Sequence, residues 1–267
     1  MARDSDEPAL TTAPDPAAGA GNALWERTRI LVGDEGVERL DGARVLLAGL
    51  GGVGSFAAEG LARAGVGALT IADFDRVAPS NLNRQLCALH STIGQPKADV
   101  IRARIGDINP NCRVAVVDRF LDAEAMPALV SSGFDQVVDA IDSLNSKLAL
   151  LGAALDAGVP VASSMGAGGR LDPTRLRVGD LMDSAGCPLA REVRRRLRRR
   201  GYARGVLTVW SDEPPRPPLP PEPTSRGRPR AVNGTISYLP ALFGLTLAGC
   251  VVQRILATAA PPGGDAD

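Results

Sequence analysis

Short apolar runs alternate with amphipathic stretches from residue 35 to about 170. Arg44-Val-Leu-Leu-Ala-Gly49 is apolar and closes on glycine, the pattern of a strand buried on both faces. Ala68–Ala72, Arg113–Asp118, Gln136–Asp139 and Val159–Ser163 repeat that pattern and predict four further strands. Between them, 54–64, 95–108, 122–131 and Ser143–Ala157 have helical spacing, and 35–41 predicts a short helix ahead of the first strand. Strands alternating with helices predict an α/β fold, a Rossmann-like, doubly wound and mainly parallel sheet.

The alternation stops near residue 170. Residues 188–200 read as a helix carrying many arginines. Residues 212–230 hold eight prolines and four arginines and predict a mobile loop without regular structure. An apolar run, 235–253, carries no charge. It is just long enough to span a bilayer, but Pro240 and its glycines favour a helix in the core or at a dimer interface, with peripheral membrane association as the other reading. The expected organisation is a disordered tail (1–20), an α/β domain (21–170) and an extension (171–260) packed on that domain, part helix and part irregular.

Composition changes this picture little. Net charge is zero over 267 residues, so the chain as a whole has no electrostatic preference for nucleic acid or membrane. Cys87, Cys112, Cys187 and Cys250 form no C-x-x-C pair, so no zinc site of the usual spacing is expected. The acidic, Ala/Pro-rich start does not read as a signal peptide, and a cytoplasmic location is expected. Among 30 basic residues only Lys97 and Lys147 are lysines, which makes those two positions informative.

Gly49-Leu-Gly51-Gly52-Val-Gly54 follows the first strand and opens a helix. Such a loop lets backbone N–H groups approach a phosphate at the helix N-terminus. Asp73, at the end of the second strand, stands where an acidic residue bonds a ribose hydroxyl. These features alone fit an NAD enzyme equally well. The next segment separates the two. Asp73-Phe-Asp75 runs on to Ser80-Asn81-Leu-Asn83-Arg84-Gln85, with Lys97 in Gly94-Gln-Pro-Lys97. Hydride transfer has little use for Arg84 and Lys97, whereas a nucleoside triphosphate needs fixed cations. Asp139 and Asp142, just past the fourth strand, are carboxylates suited to Mg²⁺, which binds one or two carboxylates together with substrate phosphates. No Walker A pattern is present.

This set of motifs resembles the ubiquitin-activating-like superfamily of adenylating enzymes. The resemblance implies ATP and Mg²⁺ as cofactors. Gly49, Gly51, Gly52 and Gly54 would cradle phosphate, Asp73 would bind the ribose, and Ser80, Asn81, Asn83, Arg84 and Gln85 would line the nucleotide pocket. Lys97 would contact phosphate and Asp142 would hold the metal, with Asp139 as a second candidate. Asp75 reads either as a further metal partner or as a strand-end cap. The resemblance also implies a homodimer in which an N-terminal arginine, here Arg27, acts in the partner's site.

Downstream residues resemble the tRNA threonylcarbamoyladenosine dehydratase branch: Asp139-Ala-Ile-Asp142-Ser, Lys147, Gly166-Ala-Gly-Gly169, Leu171-Asp-Pro-Thr174, Asp180-Leu181 and Pro188-Leu-Ala190 before the arginine-rich helix. That branch implies a carboxylate on a tRNA nucleoside as substrate, with a sulfur-relay protein as a further partner. Activation of a sulfur carrier's C-terminus is the alternative, disfavoured by the absent C-x-x-C pairs, and an NAD-dependent oxidoreductase is another. The segment Ala231-Val-Asn233-Gly-Thr has no thiol, although some members of the branch carry a cysteine there.

Eight arginines lie between Arg191 and Arg204, with Leu189, Val193 and Leu197 as an apolar stripe. They read as a grip for tRNA phosphates or as a solvated face. His90, the single histidine, and Cys187 read as structural.

Overall fold

The computed structural model describes residues 24–222 and 230–257. The tail expected over 1–20 lies outside the described residues, as do 223–229 of the proline-rich segment. The strands are β1 (Arg44–Ala48), β2 (Ala68–Ala72), β3 (Arg113–Val117), β4 (Gln136–Asp139), β5 (Val161–Ser164), β6 (Leu176–Asp180), β7 (Val206–Ser211), β8 (Leu219–Glu222) and β9 (Arg230–Val232). The helices are α1 (Glu26–Gly42), α2 (Gly54–Ala64), α3 (Lys97–Ile108), α4 (Ala125–Val130), α5 (Leu144–Asp156), α6 (Pro188–Arg199) and α7 (Tyr238–Ala257).

Seven strands pair in the order β3-β2-β1-β4-β5-β7-β6. All neighbours are parallel except β6, which runs antiparallel to β7 at the edge. Adjacent side chains of β1 point to opposite faces, so both faces are covered. Val45 and Leu47 join a core with α1, α2, α3 and α7, through residues such as Leu40, Leu61, Ile101 and Phe243. Leu46 and Ala48 join the other core, with Met126 of α4, Leu148 and Leu151 of α5, and Val193 and Leu197 of α6.

Three expectations change. The extension past residue 170 is part of the same sheet, because β6 and β7 add two strands to it. The proline-rich segment is not wholly irregular, because β8 and β9 pair antiparallel across it. The first helix begins at Glu26 and breaks direction at Gly33 (φ 70°), so only its second half follows the helical pattern seen from 35 to 41. The apolar run 235–253 forms most of α7, which by length and composition could cross a membrane. Leu239, Phe243, Leu247, Val251 and Ile255, one turn apart, are buried against α2 and the sheet. That matches the core-helix reading.

Candidate active site

The direction of winding reverses between β1 and β4, and in such sheets the crevice at the carboxyl ends of those strands takes the ligand. Two loops meet there. Gly49 leaves β1 with φ 92°, and a Cβ on it would stand 2.7 Å from the carbonyl oxygen of Ala140 in the loop after β4. A Cβ on Gly54 would stand 1.7 Å from the carbonyl oxygen of Gly49. Any side chain at either position would push the loops apart, so glycine is required by the close approach. α2 starts at Gly54; the Ser55 N–H is taken up by the Gly51 carbonyl (3.1 Å), and the positive end of the helix dipole makes the loop a site for anions.

Asp73 ties this loop to the end of β2. Its Oδ2 accepts from the N–H of Leu50 (2.6 Å) and its Oδ1 from the N–H of Asp75 (2.8 Å). Burial pushes its carboxyl above the ordinary carboxylate value, against the nearby Lys97 charge and these two N–H groups, which pull it down. Each oxygen keeps acceptor capacity for a ribose hydroxyl.

Lys97 opens α3 and is almost wholly buried, while its Nζ emerges to meet Asp75 Oδ2 at 2.9 Å. Asp75 is therefore the partner of Lys97, and half of its side chain is open to solvent. Arg84 lies over the glycine loop, its carbonyl oxygen 3.3 Å from where a Cβ of Gly52 would stand. Its guanidinium donates to the Ser80 carbonyl (2.9 Å) and to Asn83 Oδ1 (2.8 Å). Gln85 is buried with its amide nitrogen facing Gly51. Asn81 is also buried, and its Oδ1 accepts from the N–H of Ala78 (3.0 Å), shaping the 3₁₀ turn Pro79–Asn81. Asn83 reaches across to the carbonyl of Thr235 (2.9 Å), just ahead of α7.

The two carboxylates after β4 part company. Asp139 is fully buried, 2.5 Å from Lys147 Nζ and 2.5 Å from Ser163 Oγ. It is committed to these partners and is not open to a metal, contrary to its place as a second metal candidate. Asp142 is exposed on the loop between β4 and α5. Among the described residues no group of three ligating side chains exists. Mg²⁺ held by one carboxylate and substrate phosphates does not need one, and the hard oxygen of Asp142 fits that mode.

Two aromatic residues give little sign of themselves in the sequence. Phe74 and Phe120, after β2 and β3, are half exposed and pack edge to face, ring centroids 5.4 Å apart. Phe74 directly follows Asp73, so the pair stands beside the ribose-binding candidate. Their only signal is slight: one phenylalanine between two aspartates, and another past the end of the third strand. His90 lies exposed in a 3₁₀ turn, and Cys187 is buried at the start of α6. Arg27 is exposed near the start of α1, beside Ile30 and Leu31, which are 76% and 86% exposed.

Comparison with known proteins agrees with this fold. The ThiF family matches residues 26–263. The chain belongs to the ThiF family. It is 38% identical over 239 residues to the tRNA threonylcarbamoyladenosine dehydratase of Bacillus subtilis, covering 87% of this chain and 94% of that protein. The solved structure of the E. coli tRNA N6-threonylcarbamoyladenosine dehydratase in complex with AMP superposes with a TM-score of 0.81 at 35% identity, covering 90% of this chain and 96% of the other. The same E. coli enzyme in complex with ATP gives a TM-score of 0.80 at 35% identity, with the same coverage of 90% and 96%. The molybdopterin-synthase adenylyltransferase of Salmonella typhimurium is 43% identical, but over 129 residues, 48% of this chain and 51% of that protein.

In this ThiF-family chain the arginine-rich helix α6 sits against α5. Its buried stripe is Ala190, Val193 and Leu197, with Leu189 only half buried. The arginines of α6 and of the turn after it are either held by a partner or without one. Arg194 donates to Ser184, Arg200 to the Leu148 carbonyl (3.2 Å), and Arg204 pairs with Asp183 (2.6 Å). Arg195 and Arg196 share Glu192, each 2.6 Å away, and hold its carboxyl down at about 2. Arg191, Arg198 and Arg199 are exposed and make no side-chain hydrogen bond or ion pair among the described residues. A groove of about 530 Å³ beyond the helix is lined by Arg198, Tyr202 and Arg204.

Proposed function

We propose that this chain is an ATP-dependent tRNA threonylcarbamoyladenosine dehydratase. What supports the reading is the approach of the glycine loop to Arg84 and to the loop after β4 that carries Asp142, in a chain that spans 94% of the B. subtilis dehydratase.

Hydroxide is a poor leaving group, so the substrate carboxylate must be activated before a ring can close. A carboxylate oxygen attacks the α-phosphorus of ATP, the bond to pyrophosphate breaks, and an acyl-adenylate forms. A nitrogen or oxygen of the same threonylcarbamoyl group then attacks the acyl carbon, loses its proton and expels AMP. The sum is loss of one water, carried away in the cleavage of ATP. The N-terminal end of α2 receives phosphate oxygens. Lys97 and Arg84 supply positive charge where negative charge builds up on the phosphates. Asp73 holds the ribose, and the Phe74–Phe120 pair offers the base an aromatic platform. Asp142 would hold Mg²⁺, which neutralises phosphate charge when bound. The site carries positioning groups and charge rather than a nucleophile, which suits a reaction whose nucleophiles both belong to the substrate.

Among the described residues of α6, Arg191, Arg198 and Arg199 are without side-chain partners and so can meet tRNA phosphates, and the groove beside Arg198 extends their surface. Ile30 and Leu31 beside Arg27 form an apolar surface for a second copy, through which Arg27 would enter the partner's site. A cytoplasmic location accords with a tRNA substrate. The test is AMP release. The chain with ATP and Mg²⁺ should release AMP only when tRNA bearing threonylcarbamoyladenosine is added. Release that instead needs a small carrier protein, and ignores tRNA, would contradict the proposal.

A further inference from the structure

Lys147 is among the largest wholly buried side chains of the described residues. A buried ion pair is a poor source of stability, because two charges must leave water for it. Its place in the fold suggests another reason for its presence. Nζ of Lys147 lies 2.5 Å from Asp139 Oδ2, 2.9 Å from the Ser164 carbonyl and 3.4 Å from Ser163 Oγ, which accounts for its three donors. Ser163 Oγ donates to the same Asp139 Oδ2 (2.5 Å). These contacts leave Asp139 Oδ1 aimed at the N–H of Ile141, which donates to it at 3.0 Å. On the other side of Asp142, the carbonyl of Ser143 accepts from the backbone N–H of Lys147 itself (2.9 Å).

The residues before and after Asp142 are thus both tied to Lys147, one through the Asp139 carboxylate and one through its own backbone. Ala140 in the same loop abuts Gly49, and its N–H continues the ladder to the Ala48 carbonyl (2.8 Å). We infer that Lys147 is a positioning residue: through Asp139 it fixes the loop that presents Asp142 to the metal-bound phosphates. A compact ammonium suits this closed space, whereas the broad fork of an arginine does not. That accounts for a lysine here in a chain whose basic residues are almost all arginine.

The inference rests on the reading of Asp142 as the carboxylate that holds Mg²⁺, and the test separates the two. ATP affinity is measured on the full chain by calorimetry, without tRNA, in the presence of Mg²⁺ and of a chelator. Lys147→Met removes the donors, and Lys147→Gln keeps an amide that can still donate to Asp139. In the wild type Mg²⁺ should tighten ATP binding. In Lys147→Met that gain should shrink about 10-fold or more, the scale for removing a partner behind a metal ligand, while affinity in chelator stays close to wild type. Lys147→Gln should recover part of the gain. A full gain in folded Lys147→Met would overturn the inference and leave Asp142 untouched. No gain in the wild type would overturn the reading of Asp142 itself. Equal loss of affinity with and without Mg²⁺, or unfolding of both variants, would make the pair a folding element and would also overturn the inference.

Discussion

The crevice at β1 and β4 and the arginine face of α6, the two surfaces proposed to meet phosphate, are built in different ways. In the crevice Asp73 is held by two N–H groups, Lys97 by Asp75, and Asp139 by Lys147. On α6 three arginines are held by nothing but solvent among the described residues. Fixed groups with little freedom to lose suit chemistry on one phosphate at one distance. Loose arginines on long stems suit a polyanion whose phosphates they need to follow rather than place. Substitutions in the first region should therefore affect rate, and those in the second affinity and its dependence on salt.

The largest effects belong to the crevice. Lys97→Ala and Asp142→Ala should each reduce AMP release by about 100-fold or more, the scale for removing a preorganised charged group at a reacting phosphate. Thermal melting should barely change in Asp142→Ala, whose side chain is exposed, and should fall in Lys97→Ala, which empties a buried site. Rapid-quench measurement of AMP beside calorimetric melting checks both halves, and near wild-type rates in either variant would remove that residue from the site. Gly54→Ala should cost about 1–3 kcal/mol by overpacking and also weaken ATP binding, since the added methyl runs into the Gly49 carbonyl.

Next comes the arginine face. Replacing Arg191, Arg198 and Arg199 together with Gln should weaken tRNA binding. It should also lower the slope of log affinity against log salt by up to about 3, because each arginine that no longer neutralises a phosphate leaves one counterion in place. AMP release at saturating tRNA should persist. Filter binding over a salt series reads this directly, and an unchanged slope would return α6 to an ordinary solvated surface. Replacing Arg195 alone should do much less, because Glu192 already matches its charge.

The smallest effect is one of pH. In the proposed site Asp73 would bind ribose as a carboxylate, and its folded-state pKa is raised by burial. ATP affinity should therefore start to fall on acidification above the ordinary carboxylate range. For stability the sign is opposite: a raised acid binds its proton more readily folded than unfolded, so its cost to the fold is relieved as pH falls through the raised value. Asp73→Asn should flatten the affinity profile in that range, as titration calorimetry at several pH values will show.

The same contrast decides what could be seen in the sequence. β1, β4 and β5 were visible because a parallel strand buried on both faces is a plain apolar run, while β3, at the sheet edge and only half buried, showed through its valines. β6 was not visible: it is an edge strand with Arg177 and Val178 exposed, and its pairing with β7 bridges more than twenty intervening residues that include α6. Gly49 and Gly54 were legible because the close approach of the two loops admits no side chain there, and the two lysines stood out against a background of arginines. The split between Asp139 and Asp142 was not. Two aspartates three apart look alike until Lys147, five residues past the second, is seen to fold back onto the first. Phe74 and Phe120 depend on β2 and β3 being neighbours, which strand order alone supplies.

The most direct test weighs the product. tRNA bearing threonylcarbamoyladenosine is incubated with the chain, ATP and Mg²⁺, digested under mild conditions, and its nucleosides are measured by mass spectrometry. The modified nucleoside should become lighter by one water, in step with AMP release. An unchanged nucleoside mass, with pyrophosphate exchange driven instead by a carrier protein, would contradict the assignment as a tRNA dehydratase.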